Sequence, residues 1–176
     1  MSIVIPPDDE VVAATKTWIE KVVIGLNLCP FAREPYAGDR IRYRVTDAVT
    51  AEALAARLEE EARRLAQTPS AELETSLLIH PRVLTDFLEY NDFLDEADDV
   101  IESCGLAGVI QVASFHPDYR FAGAAADDPA NGTNRSPYPM LHLLREESVE
   151  RAVESYPGVE KIPERNIETL RRLKRP

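Results

Sequence analysis

The sequence predicts an α/β or α+β fold, with a small, mainly parallel sheet of three to four strands packed against helices. Residues 73–79 and 109–115 are apolar runs typical of buried strands, and each run is followed by His-Pro. Residues 82–104 lie between them and have the apolar spacing of a helix. A strand–helix–strand connection in one sheet is nearly always right-handed with parallel strands. Residues 41–46 alternate apolar and polar side chains, as a strand with one wet face does.

Apolar residues that recur at the helical period predict five helices. They span residues 8–26, 51–66 and 82–104, a segment that starts at Pro137 or Pro139 and continues through residues 140–144, and a last segment that starts at Pro163. Asn27 is expected to close the first helix in a left-handed turn. Within the long polar segment 118–139, residues 119–121 are predicted to form a short edge strand.

The length of 176 residues predicts a single domain, residues 1–176, that is long enough to bury a core. No apolar run approaches the ~20 residues that span a bilayer, so no membrane partner is expected. The N-terminus lacks the basic region of a secretion signal. Two cysteines, Cys29 and Cys104, cannot form a disulfide framework. Together these features predict a cytoplasmic protein.

The formal net charge of −11 is unevenly distributed along the chain. Residues 161–176 carry six basic and two acidic side chains, so the remainder is more acidic than the whole. Such a body repels phosphate backbones, and nucleic acid is therefore not expected as the main partner. Residues 161–176 are instead predicted to form a basic C-terminal helix that folds against the acidic body.

The candidate site begins with two of the three histidines, His80 and His116, which end the two apolar strands. Ligands of open α/β sheets bind outside the carboxyl ends of the strands, where both imidazoles are expected. The period of two residues places His80 on the face of Leu78 and His116 on the face of Val112. Imidazole titrates near neutral pH, so the pair is predicted to act as proton donor and acceptor. The alternative is that each ring merely hydrogen-bonds a loop.

An anion site is predicted next to these histidines. Asn134, Arg135 and Ser136 directly precede the helix expected at Pro137. A helix N-terminus favours negative charge, and an arginine adds a planar fork for carboxylate or phosphate. Arg120 lies shortly after the second His-Pro pair and is predicted to join them in substrate binding. Simple helix capping is the alternative for the Ser-Pro start.

Two further residues are candidates because of their expected positions on helices. His142 and Glu146 would lie one helical turn apart, a spacing that permits a metal pair or a carboxylate that orients an imidazole. A packed histidine with a surface salt link is the alternative. Asn91 falls where the apolar stripe of residues 82–104 should continue, and such breaks tend to mark functional or strained positions. Asn91 is predicted to orient a substrate or a water.

Cys29 is the candidate nucleophile if the reaction is covalent. It follows a helix C-terminus, where the dipole favours the neutral thiol, so a structural role is the stronger alternative. Cys29 together with His80, His116 and His142 is also a candidate zinc or iron ligand set, although the separations along the chain are long. No glycine-rich dinucleotide fingerprint or P-loop is present, so no nucleotide cofactor is expected.

An ordered set of motifs carries a resemblance to a known family. The motifs are NLCPF at 27–31, ETSLLIHP at 74–81, YNDFL at 90–94, QVASFHP at 111–117, TNRSP at 133–137 and LHLLRE at 141–146. The set resembles a bacterial domain-of-unknown-function family of about this length, from the first helix to about residue 167. The resemblance implies a bacterial protein and brings no activity, cofactor or catalytic residue with it.

The residues themselves favour a small-molecule enzyme of the hydrolase or transferase type that acts on an anionic substrate through histidine acid–base chemistry. One alternative is a metal-binding protein, with zinc or iron at the histidines with or without Cys29. Another is a non-catalytic protein that binds a ligand or partner. The sequence leaves the oligomeric state open.

Overall fold

The computed structural model describes residues 4–174 as six α-helices and four strands. In chain order these are α1 (Asp8–Trp18), α2 (Arg33–Ala37), β1 (Ile41–Val45), α3 (Ala51–Gln67), β2 (Thr75–Ile79), α4 (Phe87–Ser103), β3 (Ile110–Phe115), β4 (Met140–Arg145), α5 (Glu146–Ser155) and α6 (Ile162–Leu173). A π-helical turn, Ile19–Ile24, continues α1, and short 3-10 turns occur at Pro129–Asn134 and Val159–Lys161. Asn27 closes the first helical stretch with a φ of 52°, as predicted.

The four strands form one mixed sheet in the order β1-β2-β4-β3. β1 and β2 are parallel neighbours, whereas β4 lies antiparallel between β2 and β3. Strands β1, β2 and β3 therefore point the same way, although two of the three ladders are antiparallel. The predicted α/β or α+β class is confirmed, and its mainly parallel sheet is corrected to a mixed one.

The sheet is covered on both faces. Helices α3 and α4 pack on one face against a core that includes Leu78, Ile110 and Leu143. Helix α1 packs on the other face, where Val11 lies in a second core with Met140. Leu54, Leu58 and Leu65 of α3 are fully buried, as the apolar spacing of that segment predicts. The helices give the central strands cover on both sides, which explains why β2 is buried throughout.

The predicted helix through residues 140–144 is wrong. These residues are strand β4, and the helix that follows, α5, begins only at Glu146. Met140, Leu141 and Leu143 are fully buried, because both faces of this central strand are covered. A strand buried on both sides has no alternating polar positions, so its periodicity cannot be distinguished from that of a buried helix segment.

The long segment 118–139 forms no strand at residues 119–121, which lie in loop and turn structure. The fully buried side chain of Asn131 instead holds this segment together. The Asn131 side chain accepts a hydrogen bond from the N–H of Phe121 at 3.0 Å and donates one to the carbonyl of Ala125 at 2.8 Å. One buried amide thus replaces the sheet pairing that the sequence predicted for this stretch.

Helix α6 packs against this segment and against the turn after α1. The Asn166 amide donates to the carbonyl of Leu28, and Arg171 pairs with Asp128. Pro163 lies in the first turn of α6, where a missing N–H costs nothing. The last two residues of the predicted basic C-terminal helix, 175–176, lie outside the described residues. Between residues 4 and 174, no helix is long and apolar enough to cross a membrane.

Candidate functional site

His80 and His116 come together at the carboxyl ends of β2 and β3. Both side chains are fully buried, and both lie beside the ring of Tyr90 on α4. The Tyr90 ring is stacked on His80 at 5.7 Å between centroids and lies 5.0 Å from His116. Both histidines therefore occupy the sheet face that α4 covers, which is the face that the period-two argument predicted.

The imidazole of His80 has one bonded and one unbonded nitrogen. Its Nδ1 lies 2.9 Å from the carbonyl oxygen of Val83. A carbonyl only accepts, so Nδ1 carries the hydrogen and Nε2 is left with a bare lone pair. This Nε2 is buried and has no hydrogen-bond partner among residues 4–174. Burial lowers the pKa of His80 to about 4, so the ring is neutral at pH 7.

Both nitrogens of His116 are occupied. Its Nδ1 accepts the backbone N–H of Asp118 at 3.0 Å, so the hydrogen lies on Nε2. Nε2 donates to the carbonyl oxygen of Leu84 at 3.2 Å. Burial also lowers the pKa of His116. Its hydrogen bonds make this ring a positioning group, with no nitrogen left for a ligand.

The two histidines hold the same loop, which we call the β2–α4 loop, residues 80–86. They donate to its consecutive carbonyls, those of Val83 and Leu84. Leu84 has a φ of 54°, a left-handed conformation that is strained for a residue with a β-carbon. Strained backbone persists where the surroundings over-determine it, and it clusters at functional sites.

Tyr90 is the central residue of this group, and sequence reasoning did not single it out. Its hydroxyl donates to the carbonyl of Met140 at 2.8 Å and accepts the N–H of Phe115 at 3.0 Å. The hydroxyl thus joins β4 to β3 beside both histidines. Burial raises the pKa of Tyr90, so it stays protonated at neutral pH. The sequence did contain a signal for this role, since Tyr90 places a polar hydroxyl within the apolar stripe of α4.

Asn91, the next residue, is exposed, so it does not share the position of Tyr90. The apparent break in the stripe arises because Tyr90 fills the buried position.

Cys29 is half-buried next to the turn at Asn27, and burial raises the pKa of its thiol. The thiol is therefore in its neutral form at pH 7, in keeping with the structural alternative.

His142 lies on a strand, opposite Ala113 of β3 and Leu77 of β2. Its ring lies 6.0 Å from Phe115, on the face of the sheet that α1 covers. Nε2 of His142 lies 2.8 Å from Oγ1 of Thr75. The predicted pair of His142 with Glu146 on one helical face is wrong, because the helix starts only at Glu146. Burial lowers the pKa of His142 to about 4.

The predicted anion site lacks its helix N-terminus, because β4 follows Ser136 where a helix was expected. Arg135 donates to the carbonyls of Tyr119 and Ala126, at 3.2 and 2.8 Å. The Asn134 amide donates to the carbonyl of Ser114, and the Ser136 hydroxyl to that of Tyr138. These three side chains thus hold segment 118–139 in place.

Two arginines at this edge remain exposed. Arg120 follows the His116-Pro117 pair, and Arg82 directly follows His80-Pro81. Neither forms an ion pair within the described part of the chain. Sequence reasoning named Arg120 and missed Arg82, although both follow the same His-Pro motif.

The four candidate metal ligands do not converge. His142 is on the opposite face of the sheet from the other two histidines, and Cys29 lies near α6. Among residues 4–174, no group of three or more histidine, cysteine, aspartate or glutamate side chains is arranged to hold a metal ion.

Comparisons with known proteins identify a family. A family model described as Protein of unknown function (DUF1415) matches residues 10–176. This match confirms the resemblance to a domain-of-unknown-function family, while the bacterial origin stays a prediction. No curated protein and no solved structure matches the chain.

Proposed function

The chain belongs to the DUF1415 family of unknown function, and we propose that it is a small-molecule enzyme whose general base is Nε2 of His80. The observation that carries this proposal is the bare, buried lone pair on that nitrogen. A buried acceptor without a partner costs about 1–3 kcal/mol, so its presence beside a strained loop calls for an explanation. A lone pair that must receive a proton is such an explanation.

The surroundings of His80 suit a base. Its lowered pKa keeps the imidazole neutral, and thus able to accept a proton, down to about pH 4. The hydrogen bond from Nδ1 to Val83 fixes the tautomer and the ring orientation. His116 and Tyr90 act as positioning residues, because their polar atoms are engaged with backbone groups. Since His80 is fully buried, substrate reaches Nε2 when the β2–α4 loop, with its strained Leu84, moves aside.

The proposed substrate is a small anion with a carboxylate or phosphate group. Arg82 and Arg120 are the exposed guanidinium groups that follow the two His-Pro pairs, and they would attract that group. Asn134, Arg135 and Ser136 would act indirectly by holding the segment that carries Arg120. This assignment revises the sequence-based prediction, in which Arg135 itself touched the substrate.

The proposed reaction is hydrolysis or group transfer. His80 would take the proton of an attacking water or hydroxyl group, which forms a bond to the electrophilic carbon or phosphorus. The leaving group would depart with the bonding electron pair and receive the proton back from the imidazolium. Cys29 has no part in this scheme, because its raised pKa makes it a poor nucleophile. A cytoplasmic location belongs to the same proposal.

The metal-binding alternative has less support. The lone pair of His80 could bind a metal ion, but both nitrogens of His116 are engaged and His142 lies across the sheet. Turnover measurements on the wild type and on His80→Asn separate the non-catalytic alternative from the enzyme.

The variant His80→Asn tests the base directly. Asparagine keeps a side-chain N–H close to the place of Nδ1, and so keeps a donor for Val83, but it removes Nε2. Turnover of p-nitrophenyl succinate and p-nitrophenyl phosphate should fall about 10²–10⁴-fold in kcat, as is typical when a general base is lost. Arg82→Ala and Arg120→Ala should instead raise KM.

His142→Gln is the matched control, because it removes another buried histidine of the same sheet. It should leave turnover unchanged. Equal kcat values for His80→Asn and the wild type would overturn the role of His80. If the wild type hydrolyses neither ester, the non-catalytic alternative is favoured.

A further inference from the structure

The outer edge of β1 is an unpaired strand edge. β1 is the end strand of the sheet and pairs only with β2 in the part of the chain described here. The carbonyl of Arg40 accepts from Glu74 and the N–H of Thr46 donates to Ile79, so even-numbered backbone groups face β2. By the alternation of parallel ladders, the N–H and C=O groups of Ile41 and Tyr43 face outward.

A cavity lies on each face of this edge. The larger one, about 650 Å³, is lined mainly by side chains of β1 and α3, including Arg42, Arg44, Glu60, Glu61, Arg63 and Arg64. The smaller one, about 200 Å³, is lined on the opposite face by Lys16, Tyr36, Asp39, Ile41 and Tyr43. Alternate side chains of a strand added to this edge would thus meet two different surfaces.

The larger cavity is basic. Its four arginines face two glutamates, and the buried Glu61 is already held by Arg42 through two hydrogen bonds of 2.8 and 3.1 Å. Glu60 is held by Arg57, and Arg63 is paired with Glu59. Arg44 has no ion pair among residues 4–174. Although the chain is acidic as a whole, charges beyond the Debye length of about 8 Å are largely screened at physiological salt. The unpaired Arg44 therefore makes this surface locally positive.

We propose that the outer edge of β1 binds an extended acidic peptide as an added strand. The backbone groups of Ile41 and Tyr43 pair with the peptide backbone. Acidic side chains on one side of the peptide meet Arg42 and Arg44, and apolar side chains on the other side meet Ile41 and Tyr43. This is the β-augmentation mode, in which the main chain gives affinity and alternate side chains give specificity. The proposal is independent of the chemistry at His80.

Charge decides against the other occupants. Pairing of two copies of this chain through β1 would place the arginines of one strand near those of the other, and facing like charges are destabilising. Arginines on edge strands commonly prevent such self-association. A nucleic acid would use the arginines but would leave the outward backbone groups of Ile41 and Tyr43 without strand partners. An acidic peptide would pair with the arginines and with the outward backbone groups.

The test measures binding of labelled heptapeptides to the full chain by fluorescence anisotropy. The probe alternates glutamate and valine, and its counterpart replaces each glutamate with lysine. A third peptide is the glutamate–valine sequence with N-methyl groups on alternate residues, which blocks strand pairing without a change of charge. The acidic probe should bind at least about 10-fold more tightly than either control peptide.

Two pairs of variants locate the site. Arg44→Glu should weaken binding of the acidic probe at least about 10-fold, whereas Arg151→Glu, the same charge change on α5, should not. Tyr43→Pro removes the outward N–H, a substitution that edge strands tolerate, and Tyr43→Ala removes the same ring but keeps the N–H. The proline variant should bind at least about 10-fold more weakly than the alanine variant. If it fails to fold, the N-methylated peptide tests the same hydrogen bonds.

Several results would overturn the proposal. They are equal affinity for the acidic and basic peptides, an unchanged affinity in Arg44→Glu, and tighter binding of an oligothymidine than of the acidic probe. A wild-type dimer that Tyr43→Pro, but not Tyr43→Ala, dissociates in sedimentation would assign this edge to a second copy of the chain instead.

Discussion

His80 and His142 are both buried in the same sheet, and burial lowers both pKa values to about 4. They differ in what their nitrogens contact. Nε2 of His142 meets the hydroxyl of Thr75, whereas Nε2 of His80 meets no partner among the described residues. A lowered pKa thus reports burial in both regions and marks neither as a site. The unpaired lone pair is the property that separates them.

The largest expected effect is acid destabilisation, which the two regions share. For His80 the pKa falls from 6.5 in the unfolded chain to about 4 in the fold, so the unfolded chain binds more protons between these values. The contribution of the neutral His80 ring to the free energy of unfolding is therefore fully present above about pH 6.5. It is lost as the pH falls toward 4. His80 alone accounts for up to about 3 kcal/mol of this loss. Urea unfolding at pH 7 and at pH 4.5 measures it.

The variants His80→Asn and His142→Gln should each reduce this loss, because each removes one titrating ring while keeping a side-chain N–H for its partner. Only His80→Asn should also affect turnover. A pH dependence of unfolding that matches the wild type in both variants would mean that neither histidine is held neutral by the fold.

The next largest effect is expected on the His142 side. Thr75→Val removes the hydroxyl that contacts Nε2 of His142 and that donates to the carbonyl of Leu143. Because the site is buried, the free energy of unfolding should decrease by about 1–3 kcal/mol. Chemical denaturation at pH 7 provides the measurement, and the proposed turnover should remain at the wild-type level. A neutral substitution would show that His142 does not depend on this contact.

The smallest effect is expected at Ser76, which follows Thr75 in β2 and lies on the sheet face that His80 shares. Ser76 is fully buried on the sheet face of Leu78, and its hydroxyl has no partner within the described chain. Ser76→Ala removes an unpaired polar group, so the free energy of unfolding should change by less than about 0.5 kcal/mol or increase. A loss as large as that of Thr75→Val would show that an unseen partner, such as a buried water, holds this hydroxyl.

The sequence predicted the position of the histidine pair for a definite physical reason. Each apolar run is a strand of period two, so the face of His80 follows from Leu78 and that of His116 from Val112. The sequence could not predict β4, the strand that lies between β2 and β3 in the sheet. Apart from His142, residues 140–144 are apolar on both faces, and only the tertiary cover of α1, α3 and α4 distinguishes that strand from a helix.

The roles of the polar side chains were predicted less well. Arg135 was expected to meet an anion, but its donors are used by backbone carbonyls of its own loop. The sequence shows the charge of a side chain and not which acceptor lies within its reach. Tyr90 was missed for the converse reason, because its apolar ring satisfied the helical pattern while its hydroxyl joined two strands.

The placement of β4 has a consequence for how the chain folds during synthesis. β2 and β3 are not neighbours, and the strand that joins them is the last of the four to leave the ribosome. A nascent chain that ends before Met140 has both His-Pro turns but no strand to fix their separation. We therefore expect the histidine pair to assemble late, after contacts between residues far apart in sequence have formed, which is typical of slow-folding topologies.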